Sequence, residues 1–294
     1  MRTTRPRPDH RPLPRPRSSP DVLRHLIRRV TPRDVEIMRL VWEHRTFTTH
    51  QLAALFFDSY STAKQRLASL YRLRALDRFR PWTPTGSAPW HYVLDAPGAE
   101  LLAARQGTTV RELGYRRDRA LALAYRASLN HTVGTNDVFV ALAAHTRRHT
   151  TRLRWQTAAE CEARWGDIVR PDAAGTWTED GRTTSFYLEY DTGAEPLRRL
   201  AEKLDAYAEL RRVTSHRGVV LLWVPTTARE RNLRTRIPRA PVAAATAVHG
   251  SHPADAVWAL FNDPSGQRFR LSELTPGEAV VQPPLPGWEE DGDG

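Results

Sequence analysis

Three carboxylates in the second half of the chain have the types and spacing to do chemistry. Asp172 follows Pro171 at the end of Ile168-Val169-Arg170-Pro171-Asp172, a segment with strand character. Glu189 and Asp191 stand two apart in Thr184-Ser185-Phe186-Tyr187-Leu188-Glu189-Tyr190-Asp191-Thr192-Gly193. The β-branched and aromatic residues there predict a strand, on which the two acids project from one face. Two acids on one face, beside a third from a neighbouring strand, repel one another unless water or a cation neutralises them. Mg²⁺ and Mn²⁺ take such oxygen donors. An ion held there can activate water and stabilise the charge of an attacked phosphodiester. The plainer alternative is an exposed strand face whose acids meet solvent.

The elements that must position these acids follow from hydrophobic patterning. Asn130 to Val138, running on into Phe139, Val140, Leu142 and Ala143, predicts a helix of about four turns. Leu153-Arg154-Trp155 and the two segments above predict three strands. Leu197, Leu200, Leu204, Tyr207 and Leu210 mark one face of a helix from Pro196 to about Arg212. Gly218 to Val224 is almost wholly apolar, as a buried central strand requires. Helix-strand-strand-strand-helix-strand is the order of an α/β sandwich with a mixed sheet. Ala256 to Phe261 offers a last strand. Arg229, Arg231, Arg234, Arg236 and Arg239 form a basic run that either faces DNA or lies on a solvated helix.

The first half reads differently. Thr31-Pro32-Arg33-Asp34 is a helix start with a Thr cap, Pro at the first position and an acid at the third. Val35, Ile37, Met38, Val41 and Trp42 follow at helical spacing. A break at Arg45 to Thr49 leads to a second helix with Leu52, Leu55 and Phe56. Ser59-Tyr60-Ser61 caps a third, with Ala63, Leu67, Leu70 and Leu73 turned inward. Two short strands, Arg78 to Trp82 and Trp90 to Leu94, flank a turn-rich loop. Three helices and a hairpin make a winged helix-turn-helix, whose third helix would enter the major groove of double-stranded DNA. Lys64, Gln65, Arg66 and Arg72 on that helix, with Arg78 and Arg80 on the hairpin, suit phosphates and base edges. The bland reading is a solvated basic face on a protein-interaction module.

Charge and composition narrow the class. The net charge is +11. Residues 1–29 hold nine Arg against Asp9 and Asp21, with six Pro. Such a segment cannot bury a core, so residues 1–30 predict a disordered basic arm suited to a polyanion. Of 44 basic residues only Lys64 and Lys203 are Lys, so a Lys is more informative here than an Arg. The single cysteine, Cys161, excludes an intramolecular disulfide framework and a Cys-based zinc site. No run approaches a membrane span and no secretory signal is evident. A cytoplasmic protein without membrane partners is expected. The organisation expected is an arm (1–30), a winged helix (31–107), a connecting helix (108–128), an α/β domain (129–270) and a Pro-rich acidic tail (271–294).

Pro171-Asp172, a gap of 16 residues, then Glu189-Tyr190-Asp191 resembles the PD-(D/E)xK nuclease superfamily. Asp191 stands where that pattern has lysine. The resemblance implies that the lysine has moved to the following helix, where Lys203 lies. Its implied catalytic set is Asp172, Glu189, Asp191 and Lys203, with Asp172 and Glu189 as ligands of Mg²⁺ or Mn²⁺. The chain from about Thr31 to Trp223 also resembles the replication-relaxation family. The carrying residues are Leu129-Asn130-His131, Asn136-Asp137-Val138, Arg170-Pro171-Asp172, Leu188 to Gly193, Lys203-Leu204 and Tyr207. That resemblance implies a role in plasmid or mobile-element replication or transfer, with plasmid replication or transfer proteins as partners. It adds His131, Asn136 and Asp137 as accessory site residues. A metal-dependent DNA endonuclease is the sharp reading. A DNA-binding regulator with an inactive nuclease-like domain and an adaptor for a relaxase are the alternatives.

Overall fold

The computed structural model describes residues 18–83, 86–263 and 265–275. The protein is mixed α/β and divides into two compact units, Met1–His149 and Thr150–Gly294. Among the described residues no helix is long and apolar enough to cross a membrane.

In the first unit α1 (Pro20–Ile27) and α2 (Pro32–Glu43) precede the two-residue strand β1 (Phe47–Thr48). Helices α3 (Thr49–Phe56) and α4 (Tyr60–Arg72) follow, then the hairpin β2 (Leu76–Phe79) and β3 (His91–Leu94). The strands pair antiparallel in the order β1-β3-β2. The helix starts stand where the caps place them. Thr31 and Asp34 form a reciprocal capping box at α2, and Ser59 caps α4. Ile37, Met38, Leu52, Leu67 and Leu70 are fully buried between these elements.

Three expected boundaries move. Residues 1–17 of the expected arm lie outside the described residues, but Pro20–Ile27 form α1 rather than disordered chain. Ser19 accepts from the Val22 amide and Leu26 is fully buried, so one apolar contact and a cap order the end of the segment. The expected connecting helix shortens to α6 (Arg117–Ala122) and a 3-10 turn at Leu123–Tyr125. It is preceded by α5 (Ala96–Arg105) and a turn that ends at Gly114 with φ +74°. Helix α7 (Leu129–Thr146), which the patterning assigned to the α/β domain, lies in the first unit. There the Asn136 amide donates to the carbonyls of His44 (3.3 Å) and Thr46 (2.7 Å), and Gln51 donates to Asp137 (2.7 Å). These partners are more than 80 residues away, beyond the reach of periodicity.

The second unit is a mixed seven-stranded sheet in the order β10-β9-β8-β7-β6-β5-β4. Its elements are β4 (Arg152–Thr157), α8 (Ala158–Trp165), β5 (Ala173–Glu179), β6 (Arg182–Tyr190), α9 (Leu197–Val213), β7 (Val219–Val224), α10 (Thr227–Arg236), β8 (Ala244–Val248), β9 (Trp258–Leu260) and β10 (Arg268–Phe269). β4, β5 and β6 form an antiparallel meander, and β6, β7 and β8 run parallel. The crossovers α9 and α10 pack with α8 into a single core that takes Cys161, Trp165, Tyr187, Leu204, Leu222 and Leu233. Ile168 to Asp172 is a loop before β5 rather than a strand, because its residues find no ladder partner until Ala173. The expected tail begins later than residue 271. Leu271–Glu273 make a 3-10 turn, Leu271 and Leu274 are buried, and Ser272 donates to Glu179. Residues 276–294 lie outside the described residues.

One ion pair ties a cation of α4 into the fold. Arg66 donates to Asp34, whose side chain is fully buried, through Nε at 2.9 Å and through a second guanidinium nitrogen. Breaking a buried ion pair from one side costs roughly 3 kcal/mol or more. Arg66→Ala should therefore lower the unfolding free energy measured in denaturant by that order, whereas Lys64→Ala, at an exposed position on the same helix, should change it by no more than ~0.5 kcal/mol.

Candidate functional site

The site is built by strand register. Ala173 on β5 pairs with Leu188 on β6. Asp172 immediately precedes that pair and Glu189 immediately follows it on β6. The Asp172 amide donates to the Leu188 carbonyl at 3.1 Å, and its carboxylate accepts from the Tyr190 amide at 2.8 Å. The side chain thereby extends the ladder where β5 begins, which fixes the carboxylate beside β6.

Glu189 shares the face of Tyr187, the face covered by α9. Lys203 and Tyr207 are four apart on α9, so one helical stripe brings both to it. Lys203 Nζ donates to Glu189 Oε2 at 2.7 Å, and the Tyr207 hydroxyl donates to Oε1 at 2.6 Å. Glu189 is 1% exposed. Burial raises its proton affinity most and the neighbouring Asp172 raises it further, while Lys203 and Tyr207 pull the other way. The net result is a carboxyl pushed up to about 7. The Lys203 ammonium is held above its usual value. Burial opposes the charge, and the attraction of Glu189 and Asp172 outweighs burial. Burial likewise pushes the Tyr207 hydroxyl well up, so it serves as a donor. Glu195 lies 3.8 Å from Lys203 on the outer side.

Asp191 does not join this cluster. Strand β6 ends at Tyr190, and the Asp191 side chain turns to accept from the Gly193 amide at 2.7 Å. Arg229 on α10 closes on it with Nε at 2.7 Å and a second nitrogen at 3.2 Å. The expected convergence of three acids thus reduces to two, because an arginine neutralises the third. Among the described residues no group of three or more His, Cys, Asp or Glu is arranged to hold a metal ion. Asp172 and Glu189 remain as a pair of hard oxygen donors. Mg²⁺ is commonly held by one or two carboxylates with water and phosphate oxygens, and here both Glu189 oxygens already accept from Lys203 and Tyr207.

The accessory residues take structural places in the first unit. His131 is half-buried on α7, and Asn136 and Asp137 make the bonds given above. Asn136 Oδ1 must then accept from His44 Nδ1, 3.1 Å away. Among the basic residues of α4 and the hairpin, Lys64, Gln65 and Arg72 are exposed, and Arg66 is held by Asp34. Arg78 lies over the rings of Tyr71 and Trp90 at 4.3 and 4.1 Å, and Arg80 over Trp90 at 4.2 Å. These two arginines brace the hairpin by cation–π contact. The basic run on α10 is also partly spent within the unit: Arg229 holds Asp191, and Arg234 donates to the carbonyls of Ala259, Leu260 and Asp263.

A helix-rich unit with a small antiparallel sheet, followed by an α/β unit with an acid pair and a lysine, defines a class of protein. The family model for replication-relaxation proteins matches residues 38–220, and the chain belongs to that family. Membership supports a replication-related role. A search of curated proteins found no match.

The Glu189 carboxyl gives a signed pH dependence. With a folded value near 7 against an ordinary value of 4.5, the folded protein holds a proton that the unfolded chain releases. The stabilisation is full below 4.5 and is lost as pH rises through 7. Glu189→Gln cannot titrate. Its melting temperature should therefore gain on that of the wild type between pH 5 and pH 8, and parallel curves would show that Glu189 does not titrate in that range.

Proposed function

We propose that the protein acts on DNA in plasmid or mobile-element replication or transfer. In this reading the first unit is a winged helix-turn-helix that docks on double-stranded DNA. The second is a PD-(D/E)xK-like nuclease module. The opposition of Asp172 and Glu189 with Lys203 at 2.7 Å carries the proposal, since buried like charges beside a lysine are disfavoured as mere packing. The order α2-β1-α3-α4-β2-β3 and the exposed Lys64, Gln65 and Arg72 on α4 support the docking role.

Asp172 and Glu189 would hold Mg²⁺ or Mn²⁺, which supplies a Lewis acid for phosphodiester hydrolysis. The Tyr207 hydroxyl fixes Glu189 in place. Lys203, one-third exposed, keeps a positive charge at the mouth of the site, where it can stabilise negative charge on a phosphate. Asp191 and Arg229 tie the end of β6 to α10, so their part is positioning. One observation favours a second reading, a DNA-binding regulator with a silent site: both Glu189 oxygens already accept from Lys203 and Tyr207.

Thermal melting with added Mn²⁺ separates these readings. At a hundredfold excess over the dissociation constant a bound ion stabilises by about 2.7 kcal/mol. Asp172→Asn should abolish that gain. Lys203→Ala should keep metal-dependent stabilisation and lose nicking of supercoiled plasmid. Stabilisation without cleavage on any DNA would mark the silent site, and no stabilisation would remove the metal from the account.

Duplex binding forms a separate test. Lys64→Ala and Arg72→Ala should each weaken binding and flatten the salt dependence by about one unit of log–log slope. Unchanged affinity in both would exclude α4 as the docking helix.

A further inference from the structure

On the helical face of the second unit a groove of about 410 Å³ opens over β4, β5 and β6. Register defines its floor. Arg154 pairs with Thr176, which pairs with Ser185, and Gln156 pairs with Ala174, which pairs with Tyr187. These residues share the face of Tyr187, away from the acid pair by one to two steps of β6. The small Ala174 on β5 leaves the space on this face. The walls are Arg164 and Trp165 at the end of α8, and His216, Arg217 and Gly218 before β7.

The chemistry of this groove is one-sided. Its lining carries three guanidinium groups, from Arg154, Arg164 and Arg217, and no carboxylate among the described residues. Arg164 donates to His216 Nε2 at 2.7 Å, so His216 is a neutral acceptor and its ring stays against Trp165. The ring of the 6% exposed Trp165 forms part of the wall. Donors without an opposing acid call for an anion. A volume of this size exceeds an inorganic phosphate and lies within the range of small-molecule clefts.

We propose that this groove binds a nucleotide, with its phosphate held by Arg154 and Arg217 and the rest of the ligand against Trp165 and the Thr176–Ser185 floor. The same chemistry is offered by a free nucleotide and by one unit of a single DNA strand. The site is separate from the acid pair and needs neither metal nor cleavage.

The test uses the full chain in EDTA at fixed salt, with a labelled 12-nucleotide oligothymidylate read by fluorescence anisotropy. Arg154→Ala/Arg217→Ala should weaken binding at least tenfold. Both residues are exposed, so the melting curve should not move. Ser185→Ala removes a donor from the floor and should cost about threefold or more. Displacement of the oligonucleotide by thymidine monophosphate would assign the site to free nucleotides, and resistance to it would assign the site to a strand. Displacement by inorganic phosphate as effective as by the nucleotide would overturn the proposal. So would wild-type affinity in the double variant. Lys64→Ala and Asp172→Asn should leave this binding intact, which keeps it distinct from duplex docking and from the metal site.

Discussion

Glu189 is a carboxyl group sealed in the interior, and much of the second unit is arranged around keeping it there. A buried carboxylate is tolerable only when it is paired and hydrogen-bonded on all its oxygens. Here β6 carries it, β5 sets Asp172 against it, and α9 returns with Lys203 and Tyr207 four residues apart to satisfy both oxygens. The parallel pairing of β6 with β7 requires that crossover, since parallel neighbours cannot be joined by a tight turn. The same topology that closes the core therefore delivers the lysine. Asp172 works against the arrangement, and its charge keeps the Glu189 proton bound more tightly than pairing alone would.

Much of this was legible in the sequence, for reasons that are local. The cap residues Thr31 and Ser59 start their helices where expected, and the apolar run from Val219 to Val224 is the central strand. Asp172, Glu189 and Lys203 meet because the spacing between two antiparallel strands and a following helix is a short-range property. What escaped the sequence depends on distant partners. Asp191 has the parity to join Glu189, but Arg229 lies 38 residues further on and draws it away. Arg66 reads as a base-contacting residue on an exposed helix, yet Asp34 sits 32 residues before it with a fully buried side chain. Tyr207 was visible as a core residue of α9, and its hydroxyl role followed only once Glu189 was placed on the buried side. Helix α8 and strand β8 were not anticipated. The first is only eight residues long, and the Ala-rich run of the second has little β propensity of its own.

The protein neutralises buried acids in two chemically distinct ways. Asp34 is matched by Arg66, Asp191 by Arg229, and Glu230 by Arg268 together with the Thr246 hydroxyl. Each of these arginines reaches its acid with two nitrogens, a planar fork that locks geometry and never loses its charge. Glu189 alone among these acids takes lysine, which approaches through a single nitrogen at one oxygen. A lysine is a point charge on a flexible stem and can turn toward another anion without breaking a fork. In a chain with two lysines against 42 arginines, the buried acid beside Asp172 takes one of the two lysines. Both Glu189 oxygens are taken as well, but by two separate side chains, Lys203 on one and Tyr207 on the other, so the ammonium can leave its oxygen without disturbing the hydroxyl on the other.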